Sequence, residues 1–244
     1  LSSSKSKVEL FFFKMNVLPI LFAVRVLLMA EAFILNQDKL DLTKHKNWPL
    51  VYHDENCGRS KLPLARKSIG GRKADMGEYP WIARLVYRSF SDDGELGGCA
   101  GSLINGRYVL TAAHCCFDDP KNELGMGLAY VKLGEYDIHH IKDCFRGNCA
   151  PRVLEVGIEN IIKHPLYGKK AKEALPSNDF CLLRLIQDVE FTDYIQPVCL
   201  PSAIEKDEKN LYDMILTVAG WGTIENFPQS RHPHALQELD VVVK

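Results

Sequence analysis

Apolar and polar residues in this chain alternate in short runs, and the runs have the period of strands rather than helices. Residues 99–104 and 108–111 form two such runs on either side of Asn105-Gly106. That dipeptide accepts positive φ at both central positions of a tight turn, so a β-hairpin is predicted there. Runs of the same kind occupy residues 81–87, 130–134, 151–157, 159–163, 180–185, 215–219 and 236–243, separated by Gly, Pro, Asn or Asp. Many short strands with turn signals between them predict an all-β barrel or sandwich. Residues 33–67 lack the alternation and carry Asp38, Lys39, Asp41, Lys44, Lys46 and Pro49, the composition of an exposed pro-segment or linker. No internal repeat or low-complexity tract interrupts this layout.

The first forty residues differ in kind. Residues 17–30 are nearly all apolar, and Ala30-Glu31-Ala32 places small residues at both positions that a signal peptidase reads. The chain opens on Leu1, so residues 1–14 read as upstream sequence and Met15 as a start. Arg25 breaks the apolar run, leaving it short of the roughly 20 residues a spanning helix needs. A secretory signal peptide within residues 1–32 is expected, with an extracellular product and no stable membrane association.

Composition narrows the partners. With 46% hydrophobic and 25% charged residues, 244 residues suffice for a buried core in one large domain or two small ones. Thirty basic residues face 31 acidic ones, so bulk charge draws the chain neither to nucleic acid nor to an anionic surface. Lys169-Lys170-Ala171-Lys172 reads as a solvated loop face. The eight cysteines, Cys57, Cys99, Cys115, Cys116, Cys144, Cys149, Cys181 and Cys199, include no Cys-x-x-Cys pair of the structural zinc kind. An even count behind a signal-like start implies an oxidising compartment and up to four disulfides.

Two segments carry candidate chemistry. Thr111-Ala112-Ala113-His114-Cys115 follows a predicted strand, and its small residues allow a tight turn that a disulfide at Cys115 could pin. Asp179 stands at the entrance to the alternating strand Phe180-Cys181-Leu182-Leu183-Arg184-Leu185. Either Asp179 caps its own turn with Asn178, or it accepts a hydrogen bond from one ring nitrogen of His114 and fixes that ring's tautomer for general base catalysis.

Residues 68–244 resemble the N-terminal part of a trypsin- or chymotrypsin-like serine protease domain. The resemblance rests on nine landmarks in order: Gly70-Gly71, Glu78-Tyr79-Pro80-Trp81-Ile82-Ala83, Gly98-Cys99-Ala100-Gly101-Ser102-Leu103-Ile104, the His114 motif, Leu133-Gly134-Glu135-Tyr136-Asp137, His164-Pro165, the Asp179 motif, Gln196-Pro197-Val198-Cys199-Leu200-Pro201 and Ala219-Gly220-Trp221-Gly222. The insertion from Asp143 to Pro151 is similar to arthropod cascade proteases, which often carry a clip domain. Only Cys57 precedes Ser68, so no clip module is visible. The resemblance implies a trypsin-like double β-barrel, the first barrel complete and the second truncated after about two strands. It implies the disulfides Cys99–Cys115 and Cys57–Cys199. Cys144 and Cys149 could then close one short loop, leaving Cys116 to Cys181, whose segments must converge if His114 is to meet Asp179. Activation by cleavage between Lys67 and Ser68 is implied as well, with Arg66 as a competing site and Ser68 a poor choice for a chain end that must be buried.

The departures limit how far the resemblance carries. The family's nucleophile lies in Gly-Asp-Ser-Gly-Gly-Pro, and after Ser177 this chain has only Ser202 and Ser230, neither in that context. The 244 residues as written are therefore not expected to hydrolyse peptides. Three readings stay open: an incomplete serine endopeptidase precursor, a non-catalytic homologue acting as a binding cofactor, and a non-functional truncated product. The first implies protein substrates, an activating upstream protease and serpin-type inhibitors as partners. No cofactor is expected. Glu135 and Asp137 fall in a loop that binds calcium in some relatives, but too few oxygens are evident for the six to eight that ion takes. His139-His140 beside Cys144 and Cys149 is not expected to hold zinc.

Overall fold

The computed structural model describes residues 46, 57–62, 71–92, 94–117, 125–145, 147–168, 177–200, 213–223 and 233–243. The expected signal, most of the pro-segment, the cleavage site at Lys67 and Ser68, and both Ser202 and Ser230 lie outside these residues. The described residues form an all-β fold whose one helical element is a 3-10 turn, Ala113–Cys115. Among them no helix is long and apolar enough to cross a membrane.

Six strands close a barrel: β2 (Ile82–Ser89), β3 (Glu95–Asn105), β4 (Tyr108–Thr111), β9 (Cys181–Leu185), β8 (Leu154–Lys163) and β5 (Met126–Leu133), in that order around it. Period-two alternation dictates which face turns inward. In β9, Cys181, Leu183 and Leu185 are buried while Leu182 and Arg184 are not. Leu85, Leu103, Val109, Val131, Leu133 and Val156 meet them from the other strands to form the core.

Two details differ from the sequence reading. The β3–β4 turn is Gly106-Arg107, one residue later than expected, with Asn105 opposite Tyr108. Neither Asn105 nor Gly106 takes positive φ; instead Asn105 Oδ1 accepts the Arg107 N–H at 2.8 Å, an Asx turn that makes the left-handed conformation unnecessary. The runs 151–157 and 159–163 merge into the single strand β8, with a register shift between Ile158 and Asn160 where two strands were expected. Such a bulge bends a long strand around a barrel without breaking it.

The remaining strands are short additions. β6 (Cys144–Phe145) and β7 (Asn148–Cys149) make a hairpin. β1 (Arg72–Lys73), β11 (Gln237–Val242) and β10 (Ile215–Gly220) form a second sheet in the order β1-β11-β10. A small cluster of Ala74, Tyr79, Ile82 and Leu236 joins this sheet to the barrel, helped by partly buried Trp81, Tyr136 and Trp221. A backbone bond crosses the join from Leu236 N to Tyr136 O at 2.9 Å, and Ala74 N to Leu236 O, also 2.9 Å, extends the β1–β11 ladder toward it. The Trp221 indole donates to Tyr136 O at 3.0 Å.

Candidate active site

Topology brings the two candidate residues together. β4 lies beside β9 with Thr111 opposite Cys181, so His114, three residues past one partner, and Asp179, two before the other, leave the barrel at the same end. The chain turns sharply at both. Ala112 is extended at φ −80°, ψ 147°, and the next three residues wind into the 3-10 turn. Before Asp179, Asn178 takes φ 60°, a left-handed conformation that asparagine tolerates better than most residues.

Asp179 does not cap its own turn. Its Oδ1 accepts the backbone N–H of His114 at 2.9 Å, and its Oδ2 lies 2.7 Å from His114 Nδ1. With the proton on Nδ1, the ring donates to the carboxylate and leaves Nε2 as a base. The His114 side chain is 60% exposed and that of Asp179 29%. The hydrogen bond from the His114 ring holds the Asp179 carboxyl below its ordinary value, against a smaller opposing effect of burial and with further help from the His114 backbone N–H.

An exposed pair of this kind contributes only about 0–1 kcal/mol. The geometry is set instead by what lies beneath it. Cys99–Cys115 ties the turn to β3 with a Cα separation of 6.1 Å, and Cys116–Cys181 ties it to β9 at 6.6 Å. Closing the 65-residue separation of the second bond removes on the order of 4 kcal/mol of entropy from the unfolded chain. The buried Tyr87 hydroxyl donates to Cys115 O at 2.8 Å, and its ring stacks on Phe117 with centroids 4.5 Å apart. Thr111 Oγ1 donates to Ala100 O at 2.9 Å. Nothing in the sequence singles out Tyr87, because its partner is a main-chain carbonyl that any residue could supply.

Two further disulfides lie away from the dyad. Cys57–Cys199 holds residues 57–62 on the barrel's outer surface, where Gly58 N donates to Pro197 O at 2.8 Å, Ser60 Oγ donates to Gly77 O at 3.2 Å and Lys61 pairs with Asp193 at 2.5 Å. Cys144–Cys149 closes the β6–β7 hairpin.

Metal-binding candidates separate clearly. Among the described residues, the grouping of potential ligands that converges is Cys99, His114 and Cys115; its sulfurs are bonded to each other, so it offers no thiolate. His139 packs against His234 with ring centroids 3.6 Å apart and planes tilted by 34°, and His140 Nδ1 sits 3.2 Å from Asp137 Oδ1. Glu135 and Asp143 are different. Both are buried, at 6% and 4% exposure. Burial raises both carboxyls, and the nearby Asp143 charge raises Glu135 further. Asp143 Oδ2 has no hydrogen-bond partner. Among the described residues, no third side-chain ligand converges on them, so they are too few for the six to eight oxygens that calcium takes.

A closed antiparallel barrel with a His–Asp pair at the end of adjoining strands defines a scaffold of the trypsin-like serine protease class. The trypsin family model matches residues 68–244, and the chain belongs to that family. Phenoloxidase-activating factor 3 of Holotrichia diomphalia is 39% identical over 168 residues, covering 67% of this chain and 45% of that protein. Serine protease ea of Drosophila melanogaster is 38% identical, over 68% of this chain and 43% of that protein. Spaetzle-processing enzyme of the same species is 35% identical, over 68% and 42%. The chain thus spans less than half the length of these curated relatives. The crystal structure of the Drosophila Grass clip serine protease of the Toll pathway matches with a TM-score of 0.59 and 30% identity, over 86% of this chain and 53% of that one.

Proposed function

We propose that this chain belongs to a secreted serine endopeptidase precursor that cleaves protein substrates by acyl transfer within an extracellular cascade. The observation that carries this reading is the double contact of Asp179 with His114, at 2.9 Å to the backbone nitrogen and 2.7 Å to Nδ1. Asp179 selects the Nδ1–H tautomer and stabilises the imidazolium that forms when Nε2 takes a proton. His114 then serves as base toward the nucleophile and as acid toward the leaving amine.

The 244 residues contain no Gly-Asp-Ser-Gly-Gly-Pro segment, so the nucleophile and oxyanion hole of the parent protein would come from residues outside them. An upstream protease cutting after Lys67 is the proposed activator, and serpin-type inhibitors are proposed partners. Relatives named for phenoloxidase activation and Spaetzle processing support a place in such a cascade. Secretion is supported by the apolar run 17–30 and by the pairing of all eight cysteines.

Labelling of the activated parent by a serine-directed fluorophosphonate tests the proposal. Labelling that disappears in His114→Ala supports it. An activated parent, cut after Lys67, that never labels defeats it and leaves the non-catalytic homologue.

A further inference from the structure

Cys115 and Cys116 are consecutive, yet their disulfides run to opposite neighbours of β4: Cys115 to Cys99 on β3, and Cys116 to Cys181 at the start of β9. Both bonds leave the short turn that carries His114, and the second ends two residues past Asp179. Cys116 and Cys181 are 0% and 1% exposed, so this bond is part of the core. Apart from the His114 turn, whose Ala113 N–H also reaches the carboxylate, the residues on either side of Asp179 give it little support. Asn178 before it is left-handed at φ 60°, and Phe180 after it is 60% exposed. The carboxylate's contacts to the His114 backbone and ring are open to competition from water.

We propose that Cys116 and Cys181 are a positioning pair for the dyad, their disulfide holding the Asp179 carboxylate against the His114 backbone nitrogen and Nδ1 and thereby selecting the ring tautomer. Neither sulfur touches a reacting atom; the pair acts through the backbone of the turn and of the segment entering β9. Cys99–Cys115 fixes the turn to the opposite strand but places no constraint on Asp179, so the two bonds have separate tasks. The consequence for catalysis rests on the endopeptidase reading, whereas the geometry is measurable without turnover.

The experiment is nitrogen-15 NMR of the His114 ring in the oxidised chain, at a pH where the imidazole is neutral. The unaltered protein should show the Nδ1–H tautomer. Cys116→Ala/Cys181→Ala should keep the barrel's near-ultraviolet circular dichroism but shift His114 toward the Nε2–H tautomer that free imidazole favours. Cys144→Ala/Cys149→Ala, which removes the disulfide of the β6–β7 hairpin, should leave the tautomer unchanged. A folded Cys116→Ala/Cys181→Ala protein that retains Nδ1–H overturns the proposal, as does an equal shift in both double variants.

If the Cys116→Ala/Cys181→Ala protein does not fold, native-state amide exchange of the unaltered chain decides. The His114 N–H should exchange within about 30-fold of the Val109 N–H in β4, opening only with the core; faster exchange overturns the proposal. Absence of the Nδ1–H tautomer in the unaltered chain would sink both this proposal and the dyad reading. An intact tautomer in a parent that never labels with fluorophosphonate sinks the endopeptidase reading alone.

Discussion

Asp179 binds His114 twice, with one carboxylate oxygen on the backbone N–H and the other at Nδ1. The backbone contact fixes where the ring starts and the ring contact fixes its tautomer. Asp179→Asn keeps the shape but presents an amide that can turn its NH2 group toward Nδ1 and favour the opposite tautomer. In a parent that carries the nucleophile, kcat should fall by about 10^4-fold with little change in KM, the size of effect in the serine-protease template. Steady-state kinetics on a peptide ester checks this, and a loss below about tenfold would deny Asp179 the orienting role.

The depressed Asp179 carboxyl also predicts how stability varies with pH. Its folded value lies below its unfolded value of about 4, so the unfolded chain takes up the proton first as pH falls. The stabilisation is complete above the ordinary carboxylate range and disappears as pH falls through the depressed folded value. Urea midpoints between about pH 6 and pH 2 should therefore decline less steeply in Asp179→Asn than in the unaltered chain. Because the pair is exposed, the difference should be under about 1 kcal/mol.

Legibility from sequence followed the range of the interaction. The alternation of Cys181, Leu183 and Leu185 is local and reports the buried face of β9 directly. The motifs around His114 and Asp179 mark both dyad residues, although their contact depends on β4 lying beside β9. Side-chain capture of a turn was less visible: Asn105 bonds Arg107 N and moves the turn to Gly106-Arg107. The bulge near Glu159 was hidden because a bulge and a strand break carry similar residues. Least visible were contacts between distant segments, such as Tyr87 on Cys115 O and Arg72 between Glu78 and Glu238. No pattern within either segment names the partner.

The Arg72 cluster carries its own prediction. Its Nη2 donates to Glu78 Oε1 at 2.6 Å, and its Nε lies 2.8 Å from Glu238 Oε1, whose other oxygen accepts the Tyr79 hydroxyl. Glu78 and Glu238 are 1% and 7% exposed. Arg72→Ala would leave both carboxylates buried without their cation, at a cost of about 3–5 kcal/mol. Urea unfolding should show that loss, and adding Glu238→Gln should recover part of it, because an amide carries no charge to strand.

Gly101 bears on the site through packing. A Cβ there would meet Val109 Cγ1 at 2.7 Å and Leu110 O at 2.8 Å, and the second is backbone that cannot rotate away. Gly101→Ala should push β4 from β3 and destabilise the barrel by about 1–3 kcal/mol. Since β4 leads directly into the His114 turn, amide shifts in an NMR spectrum should extend from Val109 to Cys116. Shifts confined to residues 100–102 would show that the strand absorbs the methyl group locally.

The buried carboxylates Glu135 and Asp143 should respond to pH in the opposite sense to Asp179. Their folded values are raised by burial, and Glu135 further by its neighbour. Protonation is therefore favoured in the folded state, and their destabilising effect grows as pH rises from the ordinary carboxylate range through the raised folded values. Glu135→Gln, whose amide oxygen can still accept the Tyr136 N–H, should stabilise the chain at pH 7 and do little at pH 3. Urea midpoints at pH 7 and pH 3 check this; an equal effect of the substitution at both pH values would deny Glu135 a raised folded value.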